Sequence, residues 1–265
     1  MQPKFIDIHC HLDFEQFDKD REEVIGRMVE ENMLAINIGA DLESSLRSVE
    51  LSQNYDFIFA SAGIHPHEAE KDIDWDNFLK LVKSDKIVAI GECGLDYYRG
   101  LGDKKLQEEL FRKQIEIAIK LKKPLVIHCR EARLDLPRLA EASRAHNEVL
   151  KILSDYPGVR ANIHFFSGNW RQAKKYLELG FFLSFAGPIT FSRDYDEVIK
   201  NMPLERIMAE TDSPFAAPSP WRGRRNEPVF VKEIIKRIAE IKEIGFEETE
   251  QKMLKNAVDF FGLKI

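Results

Sequence analysis

Histidine and carboxylate side chains recur where short apolar segments of the sequence end. The chain has seven histidines in 265 residues. Six of them stand at such ends, and two acidic residues join them: His9, His11, His65, His67, His128 and His164, with Glu92 and Asp212. Imidazole and carboxylate groups are ligands of divalent metals, and burying a cluster of them is costly unless an ion neutralises it. These residues therefore indicate a metal centre.

The spacing of the first two histidines is informative. His9 and His11 are two residues apart, so in an extended strand both side chains point to the same face. In a strand, the side chains of the residues next to the candidate ligands point to the opposite face, away from the site. We therefore interpret Cys10, Cys93 and Cys129 as small buried residues behind the site rather than as ligands.

The number of candidate ligands favours two ions over one. An open catalytic zinc site has three protein ligands, whereas this set has six: His9, His11, Glu92, His128, His164 and Asp212. A carboxylate can bridge two ions, so Glu92 or Asp212 is expected to bridge. Two neighbouring ions can activate one water and stabilise both the attacking and the leaving oxygen. The pattern is typical of hydrolysis.

The elements that must position these residues alternate between β-rich and amphipathic segments. Strands are predicted over 5–9, 33–38, 57–62, 87–91, 125–128, 159–164, 181–185 and 206–210. Helices are predicted over 18–31, 42–53, 75–82, 104–121, 172–179, 229–241 and 247–260. Eight such βα units predict an α/β fold, a single (β/α)8 TIM-like barrel formed by one domain over 1–265. A doubly wound open sheet is the alternative, although no Gly-x-Gly-x-x-Gly motif follows the first strand.

In a barrel of this kind the C-terminal ends of the strands form one rim, where catalytic residues lie. The predicted ligands end the first, fourth, fifth, sixth and eighth strands, so we expect them to converge there. His146 stands apart within a predicted helix, and we expect it to be an exposed helix residue.

Composition excludes several classes of protein. The chain is 44% hydrophobic and 32% charged, which favours a folded domain over disorder. No apolar segment is long enough to span a membrane, and the first one is interrupted by Asp7 and His9, unlike a signal peptide. Three cysteines argue against a secreted disulfide scaffold, so we expect a cytoplasmic protein. A net charge of −6 argues weakly against a broad nucleic-acid-binding surface.

Seven motifs, in order along the chain, resemble the TatD family of metal-dependent deoxyribonucleases, within the amidohydrolase-like metal hydrolases. They are FIDIHCHLD at 5–13, GIHPH at 63–67, GECGLDYY at 91–98, PLVIHCR at 124–130, HFFSG at 164–168, ETDSP at 210–214 and RNEP at 225–228. The resemblance covers nearly the whole chain. It implies a TIM-like barrel and divalent-metal-dependent hydrolysis of DNA phosphodiester bonds.

The resemblance also implies roles for the ligands. His9 and His11 would hold one ion, His128 and His164 the other, and Glu92 would bridge them. Asp212 would complete the first site and orient or deprotonate the attacking water.

The sequence departs from the family pattern after the fifth predicted strand. Where the family often has an acidic residue, this chain has Leu134 with Asp135 beside it. The stretch between His128 and His164 is also longer than usual, with Pro137 in the predicted first turn of a helix. We expect the excess to form a loop or extended helix over the barrel mouth, which affects the size of substrate admitted.

The resulting hypothesis is a phosphodiesterase with two divalent ions, Mg, Mn or Zn, in which an activated water attacks phosphorus. Asp212 is the favoured general base. His65 is expected to contact the scissile phosphate or the leaving oxygen. Arg130 and Arg225 could hold phosphates with their planar guanidinium groups. Glu210, on the same face as Asp212, is expected to support a ligand from behind.

Three functions remain open on the sequence. The first is a nuclease whose partner is DNA, acting on single strands or 3′ ends. The second is a hydrolase of C–N or ester bonds in a small molecule or an aminoacyl ester; Lys86 lies at the wrong end of its strand to supply a carboxylated-lysine bridge. The third is a non-catalytic binding protein, which six intact ligands disfavour. No membrane association and no obligate protein partner are expected.

Overall fold

The barrel predicted from the sequence is confirmed. The computed structural model describes residues 3–98, 103–131 and 144–265. Within them, eight strands form one sheet whose order follows the chain, and each neighbouring pair is parallel. The strands are β1 Phe5–Cys10, β2 Met33–Ile38, β3 Ile58–Ala62, β4 Ile87–Asp96, β5 Leu125–Arg130, β6 Ala161–Ile163, β7 Phe182–Phe185 and β8 Ile207–Ala209.

The sheet closes between β1 and the residues that follow β8. Cys10 forms a parallel bridge with Ser213, whose carbonyl accepts a hydrogen bond of 2.8 Å from the backbone N–H of His11. The buried carboxyl group of Asp7 bonds both the backbone N–H of Thr211, at 2.9 Å, and its hydroxyl. Asp212 donates its backbone N–H to the carbonyl of His9 at 2.9 Å. Closure therefore brings the end of β1 and the residues after β8 together at one rim.

Helices surround the sheet. They are α1 Arg21–Glu30, α2 Leu42–Asn54, α3 Trp75–Leu81, α4 Lys104–Leu121, α5 Arg144–Ser154, α6 Trp170–Glu178, α7 Asp196–Asn201, α8 Val231–Lys242 and α9 Phe246–Phe261. Several begin at a side chain that accepts backbone N–H groups of the first turn, as Asp41, Asp103 and Asn169 do. No helix among the described residues combines the length and apolar character needed to cross a membrane.

The core lies mainly between the strands and the helices. Every residue of β1 and of β2 is buried, as expected of a parallel sheet covered on both faces. In α8, Val231, Ile234, Ile235, Ile238 and Ile241 are buried, at the spacing of one helical face. A second apolar cluster joins residues of the strands to Phe260 and Phe261 of α9.

Strand β4 is the main difference from the predicted boundaries. It was expected to end at residue 91, but it continues to Asp96. Gly91 and Gly94 have positive φ values of 148° and 136°, a region that glycine enters without steric cost. A Cβ atom at Gly94 would lie 2.0 Å from the carbonyl oxygen of His128. These glycines keep β4 paired closely with β5 instead of ending it.

The prediction that His146 is exposed is wrong, since its exposed fraction is 0%. In α5 it lies three residues before Val149 and six before Ile152, both also fully buried. Its Nδ1 lies 2.9 Å from the Tyr176 hydroxyl and 3.2 Å from the Cys129 sulfur. Burial lowers the pKa of His146 to about 4. The residues predicted to cover the barrel mouth, Leu134, Asp135 and Pro137, lie outside the described residues.

Replacement of His146 should change how stability depends on pH. The folded protein has a lower His146 pKa than the unfolded chain, so the unfolded chain takes up this proton first as the pH falls. Neutral His146 therefore stabilises the folded protein by up to about 3 kcal/mol. This stabilisation is complete above pH 6.5, the pKa of the histidine in the unfolded chain, and it is lost as the pH falls towards about 4, its pKa in the folded protein. In His146→Gln this loss is absent.

The measurement is urea unfolding of both proteins, followed by circular dichroism in chelator, from pH 7.5 to 4.5. At pH 7.5 the variant is the less stable, because it loses the contact with Tyr176. The difference in unfolding free energy should shrink on acidification. A difference that stays constant over this range contradicts the buried, neutral state of His146.

Candidate metal centre

The predicted ligands converge at the C-terminal rim of the barrel. His9 and His11 come from the end of β1, Glu92 from β4 and His128 from β5. His164 directly follows β6, and Asp212 lies three residues after β8. A cavity of about 690 Å³ opens here, and its lining includes His11, Glu92, His128, His164 and Asp212. The predicted substrate contacts His65 and Arg130 also line this cavity.

One group of donor atoms forms where the barrel closes. The Nε2 atoms of His9 and His11 lie 3.3 Å apart. Oδ1 of Asp212 is 3.6 Å from Nε2 of His9 and 3.5 Å from Nε2 of His11. Two ligands on one ion at about 2.1 Å, with tetrahedral angles, are about 3.4 Å apart. The spacing of this first group therefore fits a divalent ion.

A second group surrounds Glu92. Its Oε1 is 2.7 Å from Nδ1 of His128 and 2.8 Å from Nε2 of His164. Its Oε2 faces the first group, 3.6 Å from Nε2 of His9. The two oxygens of one carboxylate thus face two adjoining sets of imidazoles, a position that suits a bridging ligand. All donors are nitrogen or oxygen, a set that accepts several divalent metals.

Opposite charges stabilise each other within these groups. Burial alone would raise the pKa of Glu92 and of Asp212, but neighbouring histidines lower both. The pKa of Glu92 lies well below its ordinary value, and the pKa of Asp212 lies below its ordinary value. Burial opposes protonation of His11, His128 and His164, yet the adjacent carboxylates raise the pKa of each. Without an ion, these imidazoles are the cations that balance the carboxylates. A metal ion entering the site must displace their protons.

Each of three ligands is held from behind through its second ring nitrogen. Nδ1 of His11 lies 3.0 Å from the carbonyl oxygen of Ile38. Nδ1 of His164 lies 3.1 Å from Oε1 of Glu210, which also accepts the backbone N–H of Phe165 at 2.7 Å. This is the position expected of Glu210. Such contacts fix the orientation of a metal-binding imidazole.

The third such contact involves Asp96, which the sequence reasoning missed as a site residue. Its Oδ2 is 3.0 Å from Nε2 of His128 and 3.1 Å from Nε2 of His67. Burial would raise the pKa of Asp96, but its bond with His128 holds the pKa at about 2. The sequence did contain a pattern that could have identified Asp96. It is four residues from Glu92, and residues an even number apart share one face of a strand. The predicted end of β4 before these residues concealed it.

The structure places two of the three predicted substrate contacts at the cavity and the third elsewhere. Nε2 of His65 lies 3.7 Å from Oε1 of Glu92, inside the cavity. Arg130 lies at the cavity edge with its guanidinium 4.0 Å from the centre of the Tyr98 ring. Arg225 is placed elsewhere: both its terminal nitrogens bond the carboxylate of Asp20 at 2.6 Å. The structure therefore does not bring Arg225 to the site.

Two aromatic side chains that line the cavity beside His11 were not predicted. Phe14 stacks on the ring of His11, with ring centres 4.5 Å apart. Phe215 packs edge-on against Phe14 at 6.1 Å and is 48% exposed. Each follows a motif residue closely, Asp13 and Asp212 respectively, but nothing in the sequence distinguished them from core residues.

Comparison with known proteins finds relatives described as metal-dependent hydrolases. The chain matches the family described as "TatD related DNase" over residues 6–262. It is 38% identical over 262 residues to YabD of Bacillus subtilis, described as a metal-dependent hydrolase, covering 96% of this chain and 98% of YabD. It is 31% identical to the metal-dependent hydrolase YcfH of Escherichia coli K12, covering 97% and 95%. The crystal structure of YjjV, a TatD homologue from Escherichia coli, superposes with a TM-score of 0.86 at 28% identity, covering 100% of both chains.

Metal binding should release protons at neutral pH. His11, His128 and His164 have raised pKa values in the ion-free site, so part of the population must lose protons when an ion binds. Affinity for Mn²⁺ should therefore rise from pH 6 to pH 8. Calorimetric titration of chelator-stripped protein in two buffers of different ionisation enthalpy measures the protons released. A titration at pH 7 that releases none contradicts this account of the site.

Proposed function

Because the chain belongs to the TatD family of metal-dependent hydrolases, we propose that it is a deoxyribonuclease that hydrolyses phosphodiester bonds of DNA. The observation that carries the proposal is the shared carboxylate of Glu92, which faces both groups of imidazoles at the floor of one cavity. This arrangement supports two adjoining ions, a centre suited to displacement at phosphorus. The family supports DNA as the substrate.

The residues divide between two ions, for which we propose Mg, Mn or Zn. His9, His11 and Asp212 would hold the first, His128 and His164 the second, and Glu92 would contact both. Divalent ions bound there lower the pKa of water and neutralise charge on phosphate oxygens.

Asp212 is the proposed general base. Its side chain is 17% exposed, against 7% for Glu92, so it is the more accessible of the two site carboxylates. Its lowered pKa keeps it ionised at neutral pH. An ionised carboxylate within hydrogen-bond reach of the attacking water can accept its proton. The oxygen of that water then bonds phosphorus as the bond to the leaving deoxyribose oxygen breaks.

His65 is suited to donate a hydrogen bond to the phosphate. Its Nδ1 accepts the backbone N–H of His67 at 3.2 Å, which assigns the ring proton to Nε2. Burial lowers the pKa of His65 to about 3, so the ring is neutral. Nε2 faces the metal centre, 3.7 Å from Glu92. A neutral donor there can bind a phosphate oxygen or the leaving oxygen without competing for the ions.

The rim of the cavity suits a single nucleic-acid strand. Arg130 offers a planar guanidinium for a neighbouring phosphate, while Phe14 and Phe215 offer aromatic faces for a base. The ligands lie deep, with 5% of Glu92 exposed. We therefore propose single strands or 3′ ends as the substrate, because a deep centre is reached more easily by one strand than by a duplex. The free, buried cysteines are consistent with a cytoplasmic protein.

Chelator-stripped protein should cleave a labelled single-stranded oligonucleotide only after Mg²⁺ or Mn²⁺ is added, and Asp212→Asn should lower kcat. Loss of a general base costs about 10²–10⁴-fold. The measurement is single-turnover cleavage at saturating metal, with calorimetry showing whether the variant still binds ions. Asp72→Asn, at an exposed carboxylate, is the control and should cleave normally. Turnover of an amide or aminoacyl ester without any DNA cleavage would sink the nuclease proposal.

Replacement of Phe215 should separate binding of a base from hydrolysis. Stacking of a base on an aromatic ring contributes about 1–3 kcal/mol. Phe215→Ala should therefore raise KM for a single-stranded oligonucleotide by at least about fivefold, and leave hydrolysis of bis(4-nitrophenyl) phosphate unchanged. Phe191→Ala is the matched control, because Phe191 is 41% exposed and packs against Arg222 instead. Equal losses on both substrates would refute a base-binding role.

A further inference from the structure

Asp96 is a buried carboxylate in contact with two histidines. It ends β4, and 2% of it is exposed. Its Oδ2 is shared by Nε2 of His128 at 3.0 Å and Nε2 of His67 at 3.1 Å, while its Oδ1 accepts the backbone N–H of Tyr98 at 2.9 Å. The side-chain amide of Gln107 bonds both its backbone N–H and its carbonyl. The carboxylate is thus fixed on both sides.

The contact with His128 determines which ring nitrogen faces the metal centre. Nε2 of His128 points to Asp96, and Nδ1 points to Oε1 of Glu92 at 2.7 Å. A carboxylate accepts only, so it favours the tautomer that carries the proton on Nε2. The lone pair of Nδ1 then faces Glu92 and His164, where an ion would bind.

The backbone enforces this arrangement. Gly94 pairs with His128 across β4 and β5, and it approaches the carbonyl of His128 too closely for any Cβ. Asp96 pairs with Arg130 two residues further along. The close pairing of the two strands therefore sets the distance between the Asp96 carboxylate and the His128 ring.

The two groups of ligands differ in what lies behind them. His128 and His164, which both contact Glu92, each have a carboxylate on the far nitrogen, Asp96 and Glu210. In the first group, His11 has only a backbone carbonyl, and Nδ1 of His9 has no hydrogen-bond partner among the described residues. Carboxylates behind a metal-binding imidazole orient it and make it more basic.

We propose that Asp96 is a positioning residue that acts through His128 to strengthen binding of the ion held by His128, His164 and Glu92. This rests on the proposed two-ion centre and is independent of DNA as substrate. His67 shares the carboxylate but lies outside the ligand groups, with 34% of its side chain exposed. Its loss leaves the bond between Asp96 and His128 in place.

The test is calorimetric titration of chelator-stripped protein with Mn²⁺. Asp96→Asn keeps the shape of the side chain and removes its charge, and Asp96→Ala removes the contact altogether. We expect one of two binding steps to weaken by about 10–100-fold, the usual cost of losing such a contact, while the other step stays within about twofold of wild type. His67→Ala should leave both steps within about threefold.

Asp13→Asn is the matched control for a merely structural effect. Asp13 is also a buried carboxylate beside the centre, but it bonds Asn37 at 2.8 Å and Arg47 at 3.3 Å rather than an imidazole. It should lower the unfolding temperature and leave both binding steps in place. Equal weakening of both steps in Asp96→Asn, with a thermal loss like that of Asp13→Asn, would overturn the proposal.

Two further outcomes also contradict it. One is wild-type affinity at every step in Asp96→Asn. The other is a third ion in wild type that Asp96→Asn removes, since donors of His65, Asp96 and His128 lie within 4.8 Å of one another and would then be ligands themselves. If the wild-type protein binds a single ion, the two-ion proposal fails, but Asp96→Asn still tests the role of Asp96. Weaker binding of that ion in the variant supports positioning by Asp96, and unchanged binding refutes it.

Discussion

The structure depends on one interaction, the contact of a buried carboxylate with histidines on three different strands or their ends. Glu92 lies within 3.6 Å of His9, His128 and His164. A carboxylate buried to this extent is unfavourable unless opposite charges surround it. The imidazoles around it belong to residues 9, 128 and 164 of the chain, which the barrel brings together at one rim. The ligand set of the centre therefore depends on the fold.

Closure of the barrel fixes the other half of the centre. The hydrogen bonds of Thr211 to Asp7 and of Asp212 to His9 join the chain after β8 to β1. Asp212 has a positive φ of 55°, uncommon outside glycine and tolerated best by Asp and Asn. This conformation turns its carboxylate to His11 at 3.5 Å. The proposed base is thus placed by backbone pairing, and it need not move to meet the ligands.

The sequence predicted the barrel and the position of six histidines because both follow from local alternation. His9 and His11 share a face whatever the rest of the chain does. The errors concern contacts between residues distant in the chain. Arg225 forms a hydrogen bond with Asp20, 205 positions away in the chain, and the ring of His146 contacts the hydroxyl of Tyr176. No local pattern reveals such partners. Asp96 was missed for another reason, because glycines that usually end strands here allow β4 to continue.

A net charge of −6 would repel the proposed polyanionic substrate if the charge were spread evenly. The distribution of charge over the molecule removes this conflict. The proposed ions at the two ligand groups, with Arg130 at the edge, would make the cavity positive while the surface as a whole stays negative. Such a protein does not coat DNA but can bind one phosphate at its centre. A barrel of this type serves many reactions, and the ligands alone specify hydrolysis rather than a substrate. Specificity must then come from other residues that line the cavity, among them Phe14, Phe215 and Arg130.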